Sequence, residues 1–163
     1  MMRAMTKTHE AVLILPDIRS THNVGAIFRT ADALGIAKIY LVGTTPAPLD
    51  RFGRVRSDIA KTALGAENTV PWESKATLAP LLTKLKKEGF TIVAIEQSEK
   101  SVDYKKVKSS EKTVFIVGTE VTGLPKSVLQ KCDIIAEIPM AGMKESLNVS
   151  VATGVALFRI LGK

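Results

Sequence analysis

Residues 138–161, IPMAGMKESLNVSVATGVALFRIL, decide how the rest of the chain is read. A loop with small residues at Ala141 and Gly142 and a polar cluster of Lys144, Glu145, Ser146 and Asn148 runs directly into an almost unbroken apolar segment. Ser146 suits an N-cap, since its hydroxyl can accept a hydrogen bond from a free N–H of the first helical turn. From Leu147 to Leu161 apolar residues fill most positions, and a helix apolar on nearly all sides belongs in a core. Gly162 ends it as a left-handed C-terminal residue. Ser146 and Asn148 are costly to bury without partners, so the stretch is either a capped core helix or a binding loop that feeds one.

Working outward, the chain alternates short apolar runs with helical patterns. Ala11–Leu15, Lys38–Val42, Thr91–Ile95, Thr113–Val117 and Ile134–Ile138 read as strands, the first broken by Pro16 and Asp17. Their near-continuous apolar character suits strands covered on both faces. Asn23 caps a helix to about Leu34, with Gly35 as its stop; Ser57–Leu64 is a short helix. A brief extended piece follows near Asn68–Pro71, then a helix from a Ser74 cap to about Glu88, carrying Leu78, Leu81, Leu82 and Leu85 at helical spacing. Pro125 opens another short helix to about Lys131. Alternation of this kind predicts one α/β domain: a mostly parallel sheet of about five or six strands with helices on both faces. Ligands of such sheets bind in loops at the carboxyl ends of strands, which singles out the loops after Ile95, Val117 and Ile138.

Composition sets the class. With 163 residues, 45% hydrophobic and 24% charged, the chain is long enough for a substantial core and reads as a soluble globular protein. The net charge of +7 and pI near 9.6 favour a polyanionic partner such as nucleic acid. The single cysteine, Cys132, excludes an intrachain disulfide and suits a reducing compartment. The first ten residues lack the apolar run of a signal peptide, and no stretch reaches the roughly 18 apolar residues of a membrane span, so a cytoplasmic location without membrane is expected. Two histidines, His9 and His22, do not support a multi-histidine metal site, and no metal is expected. The dinucleotide, P-loop and nucleophile-elbow fingerprints are all missing.

Three ordered motifs remain: Asn23–Gly35 (NVGAIFRTADALG), Gly118–Pro125 (GTEVTGLP) and Ile138–Val151 (IPMAGMKESLNVSV). Together they resemble the SpoU, or TrmH, family of RNA ribose 2′-O-methyltransferases of the SPOUT superfamily, over Leu13 to Leu161. The resemblance implies a C-terminal deep trefoil knot, S-adenosylmethionine as methyl donor, an RNA substrate and a homodimer. It carries five residues into catalytic positions: Asn23, Arg29, Glu120, Ser146 and Asn148. The donor is expected against Glu96, Gly118, Ile138, Met140, Leu147 and Asn148, and Gln97 stands beside Glu96.

Residue chemistry fits this assignment. On a helical wheel Val24, Ile27, Phe28, Ala31 and Leu34 share one face, while Gly25, Arg29 and Asp32 fall opposite. Arg29 is either a solvated partner of Asp32 or, by motif position, the group that binds a phosphate or steadies a developing alkoxide, since arginine stays protonated. Glu120 would orient Arg29 or Asn23. Gly118 permits close backbone approach to a ligand, whereas Gly123 serves a turn. In the loop GTTPAPLDRFGRVR, residues 43–56, Arg51, Arg54 and Arg56 are candidate RNA phosphate ligands and Phe52 a candidate base-stacking group; the lysines between Lys100 and Lys112 are weaker candidates. No separate RNA-binding domain is expected, and the resemblance to compact members of the family favours tRNA over rRNA as the expected substrate. Two alternatives stay open: a non-catalytic RNA-binding protein that kept the fold, and a relative that methylates a base.

Overall fold

In the computed structural model, which describes residues 9–163, all of the apolar runs become strands of a single sheet. The expectation about a signal segment falls almost wholly on residues 1–8, outside the described residues. The strands are β1 (Glu10–Pro16), β2 (Lys38–Val42), β3 (Trp72–Lys75), β4 (Thr91–Ile95), β5 (Val102–Asp103), β6 (Lys112–Val117) and β7 (Ile134–Glu137). The helices are α1 (Thr21–Leu34), α2 (Ser57–Ala63), α3 (Ala66–Thr69), α4 (Leu78–Lys87), α5 (Lys126–Leu129) and α6 (Val149–Leu161). The strand order is β3-β2-β1-β6-β4-β7-β5, and every pairing is parallel.

Side chains alternate across this sheet. Leu13, Leu15, Ile39, Leu41, Phe115 and Val117 face the layer of α1, α2, α3 and α6, whereas Ile14, Tyr40, Ile92, Val114 and Ile116 face α4 and α5. Burial on both faces is the reason the strands carry no polar alternation. Because all strands are parallel, the loops leaving β2, β4, β6 and β7 emerge along one edge. Among the described residues no helix is long and apolar enough to cross a membrane.

Several expectations are corrected. The sheet has seven strands rather than five or six; the additional ones, β3 and β5, lie at its two edges. Of the residues expected to be extended at 68–71, Asn68 and Thr69 instead end α3 while Val70 is extended; in α3 Glu67 accepts from Gly65 N at 2.9 Å and Thr69 Oγ1 donates to Asp32 at 2.8 Å. Asp32 is thereby engaged away from Arg29. Ser74 lies in β3, and the helix it was expected to cap starts after Thr77. Helix α1 begins two residues before Asn23, capped by Ser20, whose Oγ accepts from Asn23 N at 3.1 Å. Asn148, not Ser146, caps α6: its Oδ1 accepts from Ser150 N at 2.9 Å, which leaves Leu147 in the loop. Nor is α6 buried all round. Thr153, Ala156, Leu157 and Ile160 are buried, while Val151, Val155 and Phe158 form an uncovered apolar stripe. Gly25, placed by the wheel on the open face, is buried where an added Cβ would collide with Thr62 Oγ1 and the carbonyl oxygen of Ile59 in α2.

Candidate functional site

The loops that leave β4, β6 and β7 close around one cleft of about 490 Å³. Its apolar wall includes Ile95, Val117, Ile138, Met140 and Leu147, and its polar groups include Glu96, Gln97, Glu120, Ser146 and Asn148. All six residues expected at the donor line this cleft: Glu96, Gly118, Ile138, Met140, Leu147 and Asn148. A cavity of this size, with an apolar wall facing a set of convergent polar groups, suits a small molecule that carries both characters.

Glu96 organises the floor. Its backbone N donates to Ala136 O at 3.0 Å, extending the β4–β7 ladder by one residue. Its Oε1 accepts from Gln97 N at 2.8 Å and its Oε2 from Leu124 N at 3.0 Å, so the carboxylate ties the loop after β4 to the loop after β6. The same carboxylate occupies the space that a Cβ on Gly118 or Gly123 would need. Gly118 still lines the cleft, while Gly123, at φ 65°, does more than turn the chain, since it too leaves room for Glu96. Across the cleft Gln97 Nε2 donates to Glu145 O at 2.5 Å, joining the loops after β4 and β7.

The rim is a hydrogen-bonded chain between distant segments. Asn23 Nδ2 donates to Glu120 Oε1 at 2.9 Å, and Asn148 Nδ2 donates to Asn23 Oδ1 at 3.2 Å. Asn23, 7% exposed, therefore has both ends of its amide satisfied and links α1, the β6 loop and the start of α6. Of the two partners expected for Glu120, Asn23 is the one it meets within the chain. Asn148 spends its oxygen on the helix cap and one N–H on Asn23; its second N–H has no partner among the described residues. Ser146 is exposed in the cleft wall.

The arginines lie elsewhere. Arg29 is exposed on α1 and is not among the cleft's lining residues. Its neighbour Thr30 lies against Gly154 of α6, so α1 and α6 pack together next to it. Arg51, Arg54 and Arg56 are carried on the loop between β2 and α2, at the same edge of the sheet as the cleft but outside it. Cys132 is half-buried, and burial pushes its thiol up to about 11, which makes it an inert packing group.

The SpoU rRNA Methylase family matches residues 10–158. This chain belongs to that family. A SpoU relative, a 23S rRNA (guanosine-2′-O-)-methyltransferase of Pseudomonas aeruginosa, is 36% identical over 151 residues, which are 92% of this chain and 58% of the relative. The chain thus spans little more than half the length of such curated SpoU relatives. The AdoMet-bound rRNA methyltransferase of Sinorhizobium meliloti superposes with a TM-score of 0.83 at 32% identity, covering 93% of this chain and 55% of that one. The A. aeolicus TrmH/SpoU tRNA modifying enzyme superposes at 0.80 with 30% identity, covering 93% of this chain and 73% of that one.

Two parts of this SpoU site escaped the sequence reading. Ser20 was legible in principle, as a serine three positions before Asn23, yet it competed with an equally good capping residue. The fastening role of Glu96 left no local signal, because its partner Leu124 lies 28 positions away.

Proposed function

We propose that this SpoU chain transfers a methyl group from S-adenosylmethionine to a ribose 2′-hydroxyl of RNA. The observation that carries the reading is the meeting of the three carboxyl-end loops at one cleft, with Asn148, Asn23 and Glu120 bonded in series at its rim. The apolar wall of Ile138, Met140 and Leu147 and the carbonyls and N–H groups of these loops suit a nucleoside joined to an amino acid. Bound there, S-adenosylmethionine supplies a methyl group already activated by its sulfonium.

The chain's own task is the ribose. The hydroxyl has to be held in line and relieved of its proton, which positioning and a nearby charge supply. Ser146 and the free N–H of Asn148 face that centre. Glu120 holds Asn23, and Asn23 fixes the amide of Asn148. Arg29, always protonated, binds the target phosphate or steadies the alkoxide. Arg51, Arg54 and Arg56 hold flanking phosphates. Ribosomal RNA is favoured as substrate, since the family description and the P. aeruginosa and S. meliloti relatives are rRNA enzymes; the preference for tRNA expected from the compact chain is not supported. A reducing cytoplasm suits the unpaired Cys132.

A homodimer completes the proposal. Covering Val151, Val155 and Phe158 with a second copy removes an apolar stripe from water and brings Arg29 of one protomer towards its partner's cleft. The trefoil knot belongs to the same reading, with the segment after β7 passing beneath the neighbouring loops; the bonds from Gln97 to Glu145 and from Asn148 to Asn23 support its tucked course.

Calorimetry with S-adenosylmethionine and S-adenosylhomocysteine, followed by tritium transfer onto rRNA and tRNA, tests the activity. Binding lost in Asn148→Ala and label in ribose 2′-O positions are expected; binding without transfer to any RNA would leave a non-catalytic RNA-binding protein, and label in bases would move the chemistry off the ribose. Mixing inactive Arg29→Ala with inactive Asn148→Ala tests the dimer, because a shared site restores activity in mixed dimers and separate sites do not.

A further inference from the structure

Phe52, at the tip of the loop between β2 and α2, is 67% exposed. Leaving an aromatic ring in water forgoes the gain of burial, so what holds it there matters. The turn Asp50–Arg54 is closed by its own bonds: Asp50 N donates to Arg54 O and Gly53 N to Asp50 O, each at 2.9 Å. Asp50 Oδ1 accepts from Phe52 N at 2.8 Å and from Arg54 N at 3.0 Å, while Gly53 takes φ 76°. Leu49 and Val55 pair beneath the turn. At the loop's root Thr45 Oγ1 donates to Leu15 O at 2.7 Å and accepts from Ile18 N at 3.0 Å. The ring is therefore presented by an ordered turn, and little conformational freedom remains to be lost when something docks on it.

Two guanidinium groups lie over this ring, Arg51 at 4.7 Å and Arg54 at 4.9 Å from its centre. They differ in how they are held. Arg54 Nε donates to Asp50 Oδ2 at 2.9 Å; the backbone N–H of Arg54 first, then that of Phe52 and this guanidinium bond, hold the Asp50 carboxyl below the usual carboxylate range. Arg51 has no such carboxylate tether among the described residues. An aromatic face flanked by guanidinium planes is the chemistry that binds unstacked bases, with cations beside it for the phosphates. A continuous duplex hides its base faces in the stack. The loop leaves the same edge of the sheet as the cleft, and β2 stands two strand positions from β6, about 10 Å.

We propose that the Asp50–Arg54 turn is a stacking platform for an unpaired nucleobase beside the nucleotide whose ribose enters the cleft, so that the substrate class is looped or single-stranded RNA. The base displaces the untethered Arg51 guanidinium, which moves onto a backbone phosphate, while Arg54 stays bonded to Asp50. This inference rests on the RNA-methylating reading above.

The test is fluorescence anisotropy with two labelled probes, an oligoribonucleotide hairpin with an unpaired loop and the same strand annealed to its complement. Wild type is expected to bind the hairpin more tightly. Phe52→Leu, apolar but without a π face, is expected to weaken hairpin binding by about ten-fold, the scale of one stacked base, and to leave the duplex nearly unchanged. Phe52→Trp is expected to restore the affinity, with its indole emission quenched by the hairpin; this arm carries the test if Phe52→Leu unfolds at a lower temperature than wild type. Equal hairpin affinity for wild type and Phe52→Leu, or equal losses on both probes, overturns the platform. If the wild type methylates RNA while Phe52→Leu binds unchanged, the platform alone fails; if the wild type binds neither probe, the RNA reading itself fails and the platform goes with it.

Discussion

The rim of the cleft and the Asp50–Arg54 turn both face the proposed substrate, yet they are held by opposite kinds of bond. At the rim, Asn23 reaches Glu120 across 97 positions of sequence and Asn148 reaches Asn23 across 125. In the turn, Asp50 closes onto residues two and four positions away. Bonds of the first kind exist only once the sheet has assembled, so the rim shares the fate of the whole fold. Bonds of the second kind form locally and can fail alone. Disturbing the rim therefore propagates between sites and into stability, whereas disturbing the turn stays where it is made.

The largest effect is expected at Arg29, which sits on the rim's own helix without sharing its bonds. Arg29→Ala should lower methyl transfer by about 100-fold or more, the scale of losing one charge-stabilising donor, with donor affinity near normal and stability changed by no more than about 0.5 kcal/mol. Lost donor binding in calorimetry would instead place Arg29 among the coupled rim residues.

Asn23→Ala should come next. It leaves the polar groups of Glu120 and Asn148 without their partner, at a cost of about 1–3 kcal/mol in urea unfolding, and weakens donor binding as well. In a double-mutant cycle with Asn148→Ala the two losses should be non-additive, while Asn23→Ala and Asp50→Ala should add. Additivity in the first pair would erase the distinction drawn between the regions. Asp50→Ala alone should loosen the Phe52 turn and reduce RNA affinity several-fold in anisotropy, with donor binding and the urea unfolding midpoint nearly unchanged.

Glu73 supplies the smallest effect and separates sequence distance from burial. It bonds Lys38 at 2.7 Å, 35 positions away, and also contacts Lys75, all at the exposed sheet edge. These lysines draw its carboxyl from 4.5 down to about 2. A lowered folded-state value means the contribution to stability is present above pH ~4.5 and fades as pH falls through about 2. Glu73→Gln should flatten that acid limb of a pH–stability curve and lower neutral-pH stability by the same amount, a small one because solvent screens the pair. A large neutral-pH loss would show that distance in sequence, rather than burial, sets the cost.

What could be read from sequence follows the same division. The doubly buried strands were legible because burial on both faces leaves an apolar run, and Gly35 and Gly162 end their helices in the left-handed conformation, at φ 69° and 68°. The edge strands Trp72–Lys75 and Val102–Asp103 were not, since WESK is half-exposed and charged and VD is too short to show a period. Helix caps were misplaced at both motifs for one reason. Ser20 and Asn23, like Ser146 and Asn148, are equally competent caps by local chemistry. The choice falls to contacts from elsewhere: Glu120 claims the side chain of Asn23, and Ser20 is left to cap α1.

By itself, then, the sequence determined the parallel α/β sheet, the three carboxyl-end loops and the SpoU motifs, because each of these depends on side-chain character within a dozen or so residues. Only the tertiary structure decided that Glu96 fills the space between Gly118 and Gly123, that Asn23 joins Glu120 to Asn148, and that Val151, Val155 and Phe158 remain uncovered. Those outcomes depend on which distant segments meet, and a hydrogen-bond partner or a covering surface a hundred residues away leaves no trace in the local pattern.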